Sequence, residues 1–416
     1  MFAVTRWCHV GSRNERYGRT GFAHLFAHML FKGSEHVGAN EHFELIQRAG
    51  GTLNGSTWLD RTNYFETVPS NQLASDVVVV GERRGRLVAC KTQQKLRYQR
   101  DVVKHERSGS VDNQPYGTLW ERLPALAFPP SQPFHHSLIG SMEDLSDASL
   151  DDVAQFFRTY YTPNNAVLTI AGDFDRDEAR ALIQEYFGAI PRGEDKPPLR
   201  PMEVSPRFDG WRREVVEDDV VLPRLFLAFR SPVFGSDGYF SASICAAVLG
   251  MRKGSPLYRA LVRERQVASE VSVFTFDLSK GSDLLIVDAT AHPGISAAEL
   301  ETAVTEEIEG MRIRKISTEE IERVVALIET DLLSTLQSAS ERADKLSQFA
   351  TYFGDAAMVN TQLSRYSDVT ADQLNSFVQE FLGDDNLISL VYVPRQMESV
   401  LFWSVQTQRF LTHTPF

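Results

Sequence analysis

Apolar and polar residues follow two different periods along this chain, and together they predict a mixed fold. Short apolar runs typical of buried strands occur at 2–10, 62–68, 167–171, 224–229 and 284–291. Long stretches with helical spacing of their apolar residues separate these runs. Strands that are distant in sequence favour an α+β fold, so we predict α/β sandwiches with helices packed on a mostly antiparallel sheet.

The same pattern occurs twice. The segment from Ser149 (SLDDVAQFFRTYYTPNNAVLTIAGD) matches the segment from Thr370 (TADQLNSFVQEFLGDDNLISLVYVP), 221 residues later, and GFAHLFAHMLFKGS from Gly21 matches ASICAAVLGMRKGS from Ala242 at the same offset. Two alignments at one offset predict a duplicated domain. Prolines and charges interrupt the periodicity at 191–207, so we predict domains at 1–190 and 208–416, joined by a linker at 191–207.

Composition narrows the class of protein. The 416 residues include 43 Lys and Arg against 55 Asp and Glu, a formal net charge of -12. This excess argues against binding to nucleic acids or to an anionic membrane surface, and it suits a basic substrate. No apolar run of about 18 residues is present, and the opening residues lead us to expect no secretion signal. Cys8, Cys90 and Cys245 are odd in number and far apart, so we expect no disulfide framework, no thiolate metal site and a cytoplasmic location.

Two histidines stand within the most apolar predicted helix. His24 and His28 are one helical turn apart, so both side chains project from the same face and can grip one metal ion. The alternative is a pair of hydrogen-bonded core histidines in a metal-free binding module. Glu106, within the helical segment DVVKHER, offers the anionic third ligand that favours the metal site.

Three segments carry a resemblance to a known family. GFAHLFAHMLFKGS, GGTLNGSTWLDRTNYFETVP and DVVKHERSGSVDNQPYG together resemble the M16 zinc peptidases, whose signature is H-x-x-E-H followed by a more distant ligand glutamate. The resemblance covers nearly the whole chain and most closely suggests bacterial members whose subunit is one half of a clam-shell. It implies a Zn²⁺ cofactor bound by His24, His28 and Glu106, and cleavage of extended or unfolded peptides, precursor or leader peptides included.

One position departs from the signature. The family's glutamate should stand at position 27, where this chain has Ala27. That carboxylate would take a proton from the attacking water, and losing a general base typically costs about 10² to 10⁴ in rate. We therefore expect a very poor peptidase. Because all three ligands are retained, we favour a deliberate Glu→Ala substitution in a catalytic subunit; the alternative is a naturally inactive homologue that acts as a scaffold or peptide-binding partner subunit.

The second half shows what natural loss of the ligands looks like. At the 221-residue offset, Cys245, Leu249 and Leu327 replace the three ligands, so a metal is expected only in the first half. The resemblance also implies an arginine and a tyrosine, seven residues apart, that hold the substrate backbone. Val262 and Ser269 stand at those places. In two-chain members of the family a metal-free partner supplies this pair, so we expect a heterodimer with such a homologue, with a homodimer as the alternative.

The resemblance further implies a peptide-binding edge strand within 50–69, beside the zinc. Asn54, Gly55, Ser56 and Thr57 are the predicted contacts of a peptide that adds to the sheet as an extra strand. Each of these residues is also compatible with an ordinary strand. Relatives generally have one more strand before Phe2, so we expect Met1 to be a shortened start or the sheet edge to be bare.

Other histidines and arginines are weaker candidates. His135 and His136 are adjacent, so we predict a surface turn rather than a metal site. His105 neighbours Glu106 on a helix and points about 100° away from it, so the two cannot serve one metal together. Arg263 and Arg265 are expected to be solvated. A turn at 112–117 is predicted to close the helix that carries Glu106.

Overall fold

A computed structural model of the chain describes residues 1–33, 38, 41–73, 92–198 and 204–395. Within these residues the chain forms two β-sheets, each with helices packed against it. The predicted α+β fold is therefore confirmed.

The first half supplies the first sheet and the helices that carry the candidate metal ligands. Its elements, in chain order, are β1 (Phe2–Cys8), α1 (Phe22–Leu30), α2 (Glu41–Arg48), β2 (Thr52–Thr57), β3 (Thr62–Val68), α3 (Gln93–Arg107), α4 (Leu119–Ala127), α5 (Met142–Asp147), α6 (Leu150–Tyr160), β4 (Ala166–Gly172) and α7 (Arg176–Phe187). The strands are ordered β2-β3-β1-β4, and every neighbouring pair is antiparallel. Strand β2 is therefore an edge strand of the described sheet.

The second half supplies a sheet of the same order with one further strand. Its elements are β5 (Arg212–Asp218), β6 (Arg224–Ser231), α8 (Asp237–Gly250), β7 (Ala268–Phe276), β8 (Asp283–Ala291), α9 (Ala297–Arg314), α10 (Thr318–Gln337), α11 (Ala339–Phe353), α12 (Gln362–Ser367), α13 (Ala371–Phe381) and β9 (Leu387–Pro394). The strands are ordered β5-β9-β6-β8-β7, and β5 alone pairs in parallel, with β9. The sheet is mostly antiparallel, as predicted.

The predicted strands and the predicted duplication are both confirmed. All five apolar runs form strands, but β1 ends two residues early because the N–H of Val10 turns back to the carbonyl of Cys8, 2.8 Å away. Helices α6 and α13 lie 221 residues apart at both ends. Each begins with a capping box, on Ser149 and on Thr370, which explains why the helices start at equivalent residues.

The central strands β1 and β6 are buried on both faces because the two halves exchange a helix. In β1, Phe2 and Val4 pack with helices of the first half, whereas Ala3 on the opposite face contacts Ala343 of α11. The second sheet is covered in the same way: α4 of the first half contributes Leu123 to the cluster of Phe226, Ala228, Phe276, Leu284, Ile286, Ile388, Leu390 and Tyr392. The two halves therefore share two apolar interfaces.

The domain boundaries at 1–190, 191–207 and 208–416 remain a prediction, and 199–203 and 396–416 lie outside the described residues. The two described cysteines, Cys8 and Cys245, are free and buried, and Cys90 lies outside the described residues. Among the helices that the structure describes, none is both long enough and apolar enough to span a bilayer.

Candidate metal centre

Most residues of helix α1 are buried, and this packing fixes the position of its two histidines. It begins after Gly21, whose φ of 82° lies in the left-handed region that glycine tolerates. Phe26 stacks on Phe157 at 5.5 Å and contacts Tyr161 at 4.3 Å between ring centroids. Because His24 and His28 share the one face of α1 that is left open, both rings project into a cleft.

Helix α3 brings the third side chain to the same place. It begins at a cap in which the Thr92 side chain accepts a hydrogen bond from the N–H of Lys95. Leu96 and Val103 are buried against α1, and Glu106 stands in the last turn with its side chain 42% exposed. The apolar face of α3 thus fixes the direction in which Glu106 points.

The three candidate ligands converge on one point. The Nε2 atoms of His24 and His28 are 3.2 Å apart, and the Glu106 oxygens lie 3.6 Å from His24 Nε2 and 3.2 Å from His28 Nε2. Ligands about 2.0–2.1 Å from a tetrahedral Zn²⁺ stand about 3.3 Å from one another. The observed separations therefore fit one zinc ion, which would be held by these three side chains.

The protonation states suit the same ligand set. Burial and, to a smaller extent, the nearby His28 ring lower the pKa of His24 to about 4, while Glu106 opposes both effects. The hydrogen bond from His28 lowers the pKa of Glu106. Near pH 7, His24 is therefore a neutral ligand and Glu106 a carboxylate, the forms that bind a metal ion.

Ala27 lies beside the candidate ligands, at the position where the family signature has a glutamate, and its methyl group cannot accept a proton. Its methyl group is buried and lines the same cleft as the two histidines. Among the described lining residues, Glu106 provides the single carboxylate, and it is already directed at the histidines. No other described group in the cleft replaces the missing glutamate.

The predicted substrate contacts lie along one wall of this cleft of about 570 Å³. Asn54, Gly55, Ser56 and Thr57 all line it from strand β2. The Asn54 side-chain oxygen accepts a hydrogen bond from the N–H of Gly55 at 2.8 Å, and the Ser56 hydroxyl donates to Asn63 at 2.7 Å. The metal ligands and the sheet edge thus belong to one cleft.

Aromatic side chains form a wall that the sequence analysis did not include. Phe31, Phe43 and Tyr98 line the cleft, and Phe31 contacts the Phe43 ring at 5.2 Å. A Cβ atom at Gly55 would lie only 3.1 Å from the Phe31 ring, so glycine allows β2 to approach it. Helical spacing could have predicted that these side chains lie near the ligands. Phe31 follows His28 by three residues, and Tyr98 precedes Glu106 by eight, about two turns.

The weaker candidates lie elsewhere. His105 donates to the carbonyl of Asp101 at 2.7 Å on the exposed side of α3. His135 donates to the carbonyl of Phe128 at 2.6 Å, and the turn predicted at 112–117 is found at 113–117, after a π-helical segment at Ser108–Asp112. In the described part of the chain, no metal-ligand cluster is found besides that of His24, His28 and Glu106.

The corresponding places in the second half hold no ligands. Cys245 and Leu249 are buried in its apolar core, and burial raises the pKa of the Cys245 thiol. Val262 packs against the same core, and the Ser269 hydroxyl donates to the backbone of β8. Arg265 pairs with glutamates of α9, so it is not simply solvated, and the Arg263 guanidinium lies over the Tyr258 ring.

Two family profiles match the chain. The profile described as "Insulinase (Peptidase family M16)" matches residues 3–117, and "Peptidase M16 inactive domain" matches 147–328. The zinc protease PqqE of Helicobacter pylori is 27% identical over 386 residues, which cover 92% of this chain and 86% of that protein. The uncharacterized zinc protease YmxG of Bacillus subtilis is 20% identical over 402 residues, 95% of this chain and 94% of that protein.

Solved structures share the fold. The crystal structure of a protease from Helicobacter pylori has a TM-score of 0.87 at 26% identity and covers 94% of both chains. A peptidase M16 inactive domain from Pseudomonas fluorescens has a TM-score of 0.82 at 14% identity, covering 94% of this chain and 93% of the other. The periplasmic protease PqqL of Escherichia coli has a TM-score of 0.75 at 19% identity, and the match covers 94% of this chain and 45% of PqqL.

Proposed function

This chain belongs to the M16 peptidase family, and on that premise we propose that it is the zinc-binding subunit of an endopeptidase for extended peptides. The observation that carries the proposal is the convergence of His24, His28 and Glu106 at separations that fit one zinc ion, in a cleft bordered by an edge strand. The zinc protease names of the relatives support the same metal.

Strand β2 supports the choice of an extended substrate. In the described sheet it pairs with β3 on one side, so its other edge can accept a peptide as an additional strand. Backbone hydrogen bonds to the residues from Asn54 to Thr57 would give affinity that depends little on the peptide's sequence. A segment that adds to β2 must be extended and without strand partners of its own on that edge, which is most readily met by an unfolded chain, so we propose unfolded, precursor or leader peptides as substrates.

Ala27 limits what the chain does to such a peptide. A zinc ion held by the three ligands would supply a Lewis acid for the scissile carbonyl and the attacking water. The chain must supply the proton acceptor, and the Ala27 methyl group cannot accept a proton. We interpret Ala27 as a Glu→Ala substitution in a catalytic subunit, so that substrate and zinc are held with very little turnover.

A second candidate function follows from the same position. The described part of the cleft holds no carboxylate besides Glu106, which favours a naturally inactive homologue that binds peptides or serves as a scaffold.

For either function we propose a metal-free homologue as the partner subunit, which supplies the arginine and tyrosine absent at Val262 and Ser269; a homodimer is the alternative. The match with PqqL covers 45% of that protease, so the PqqL chain continues well beyond the matched part. We propose a cytoplasmic location, with which the free Cys8 and Cys245 are compatible.

Restoring the carboxylate tests the proposal. We expect the unmodified chain, Ala27→Glu and the isosteric control Ala27→Gln each to bind one zinc ion per chain. With the partner homologue present, Ala27→Glu should cleave a quenched peptide library about 10² to 10⁴ times faster than the other two. Zinc binding without cleavage by Ala27→Glu would support the scaffold function instead. Absence of zinc binding in all three would refute the peptidase function and leave the scaffold or peptide-binding function.

A further inference from the structure

A buried carboxyl group outside the cleft, that of Glu15, holds the start of helix α1. The Glu15 side chain has 0% exposure and belongs to the loop that precedes α1. Its two oxygens accept hydrogen bonds from the N–H groups of Gly21 at 2.9 Å and of Ala23 at 2.7 Å. These donors are among the groups that an α-helix leaves without partners at its N-terminus. Glu15 therefore fixes the end of α1 next to His24.

The same junction contacts the helix that carries the third ligand. Gly21 packs against Gly140 so closely that a Cβ atom on Gly140 would lie 2.5 Å from the Gly21 Cα. The carbonyl of Gly140 accepts a hydrogen bond at 2.9 Å from Arg107, the residue after Glu106. The start of α1 and the end of α3 thus contact the same backbone segment, and Glu15 binds the start of α1 at this junction.

We propose that Glu15 is a positioning residue of the metal centre, which sets the rotation of α1 so that His24 and His28 face Glu106. Helix α1 has only nine residues, so its N-terminal attachment governs both histidines. The side chains of a helix end about 5–6 Å from its axis, so a rotation of 10° moves them by about 1 Å. Ligand distances in a metal site tolerate about 0.2 Å. A small rotation that leaves the fold intact therefore weakens the site.

The chain offers a matched control for ordinary helix capping. Asp175 caps α7 with a carboxylate oxygen that accepts from the N–H groups of Asp177 at 2.9 Å and Glu178 at 2.8 Å. Helix α7 carries no candidate ligand. Removing this cap should therefore lower the melting temperature without changing the metal centre.

The experiment rests on the proposed zinc site and measures zinc affinity by competition with a chelator. We expect Glu15→Ala to bind zinc about 10 to 100 times more weakly than the unmodified chain, in the range found for residues that orient metal ligands. Glu15→Gln keeps one acceptor oxygen and should fall between the two. Asp175→Ala should bind zinc like the unmodified chain although its metal-free form melts earlier.

The outcomes separate this inference from the proposed function. A folded Glu15→Ala that binds zinc as tightly as the unmodified chain overturns the inference alone. If Glu15→Ala does not fold, Glu15→Gln is judged by the same criterion. If the unmodified chain binds no zinc, the proposed function fails. In that case hydrogen exchange of the metal-free proteins decides: the amides of α1 should exchange faster in Glu15→Gln than in Asp175→Ala, and equal rates overturn the role of Glu15.

Discussion

Helices α1 and α8 occupy the same place in the two halves of the molecule and differ in what surrounds them. In α1, His24 and His28 face a cleft and meet Glu106. In α8, Cys245 and Leu249 stand at the equivalent positions, both fully buried in an apolar core. The four strands of the first sheet recur in the same order in the second sheet. The fold is therefore independent of the ligands, and the candidate metal site is an addition to one copy.

The largest effect is expected when the first half is made to resemble the second. His28→Leu introduces the residue found at position 249 and removes one of three ligands. We expect loss of stoichiometric zinc binding, measured by metal analysis after gel filtration. The free energy of unfolding of the metal-free protein should change by less than about 1 kcal/mol, since His28 is partly exposed and leucine suits a mostly apolar helix.

His105→Leu is the control for this change, because His105 stands next to the ligand Glu106 on α3. His105 is exposed and lies outside the ligand cluster, so the variant should bind zinc normally. Full zinc binding by His28→Leu would show that the cleft does not bind metal in the proposed way.

The reverse exchange should destabilise the second half without creating a metal site. Leu249→His buries an imidazole in an apolar core, and Leu327 stands where a third ligand would be needed. We expect a loss of about 3 kcal/mol in the free energy of unfolding, from lost apolar packing and from an unpaired polar group. Denaturant titration measures this loss.

Leu249→Met controls for packing alone, because it conserves volume and should cost less than about 1.5 kcal/mol. Zinc binding by Leu249→His, or stability equal to that of Leu249→Met, would contradict the contrast drawn between α1 and α8.

The exchanged helices, α4 and α11, join the two halves. Asp344 of α11 allows the most direct test of this junction. Asp344 accepts hydrogen bonds from the Trp7 indole and the Asn63 amide, both at 2.8 Å. Asp344→Ala leaves these donors without their partner, so we expect a loss of about 2 kcal/mol in the free energy of unfolding. Glu341→Ala, on the exposed first turn of the same helix, should lose less than about 1 kcal/mol. Equal losses would mean that the Asp344 contacts do not stabilise the junction.

Sequence patterns predicted the structure within each half better than the contacts between the halves. Period and turn residues predicted the strands, and spacing predicted that His24 and His28 share a face, because these are properties of short segments. The covering of β1 by Ala343 of α11 was not predicted, since an apolar face does not specify which distant helix will bury it. The contact of Glu15 with Gly21 was missed for a related reason: it depends on the path of an irregular loop.

The smallest expected effect concerns another pair of equivalent positions, His9 and Arg230. Burial, together with the nearby charges of Arg13, Lys196 and Lys280, lowers the pKa of His9 to about 3. At the equivalent position, burial lowers the pKa of Arg230 to about 10, so that side chain remains charged near neutral pH. The first half therefore holds a neutral group where the second half holds a cation.

This difference predicts a pH dependence that belongs to His9. A histidine whose pKa is lower in the folded than in the unfolded state takes up a proton on unfolding, so the free energy of unfolding falls as the pH drops from 6.5 towards about 3. Because His9 is partly exposed, we expect a loss of about 1 kcal/mol between pH 7 and pH 5, below the limit of 1.4 kcal/mol per pH unit. His9→Gln keeps an acceptor for Arg13 and does not titrate. Denaturant titrations of the metal-free proteins at both pH values should therefore show a smaller loss in His9→Gln than in the unmodified chain, and equal losses would mean that His9 is charged or solvated in the folded state.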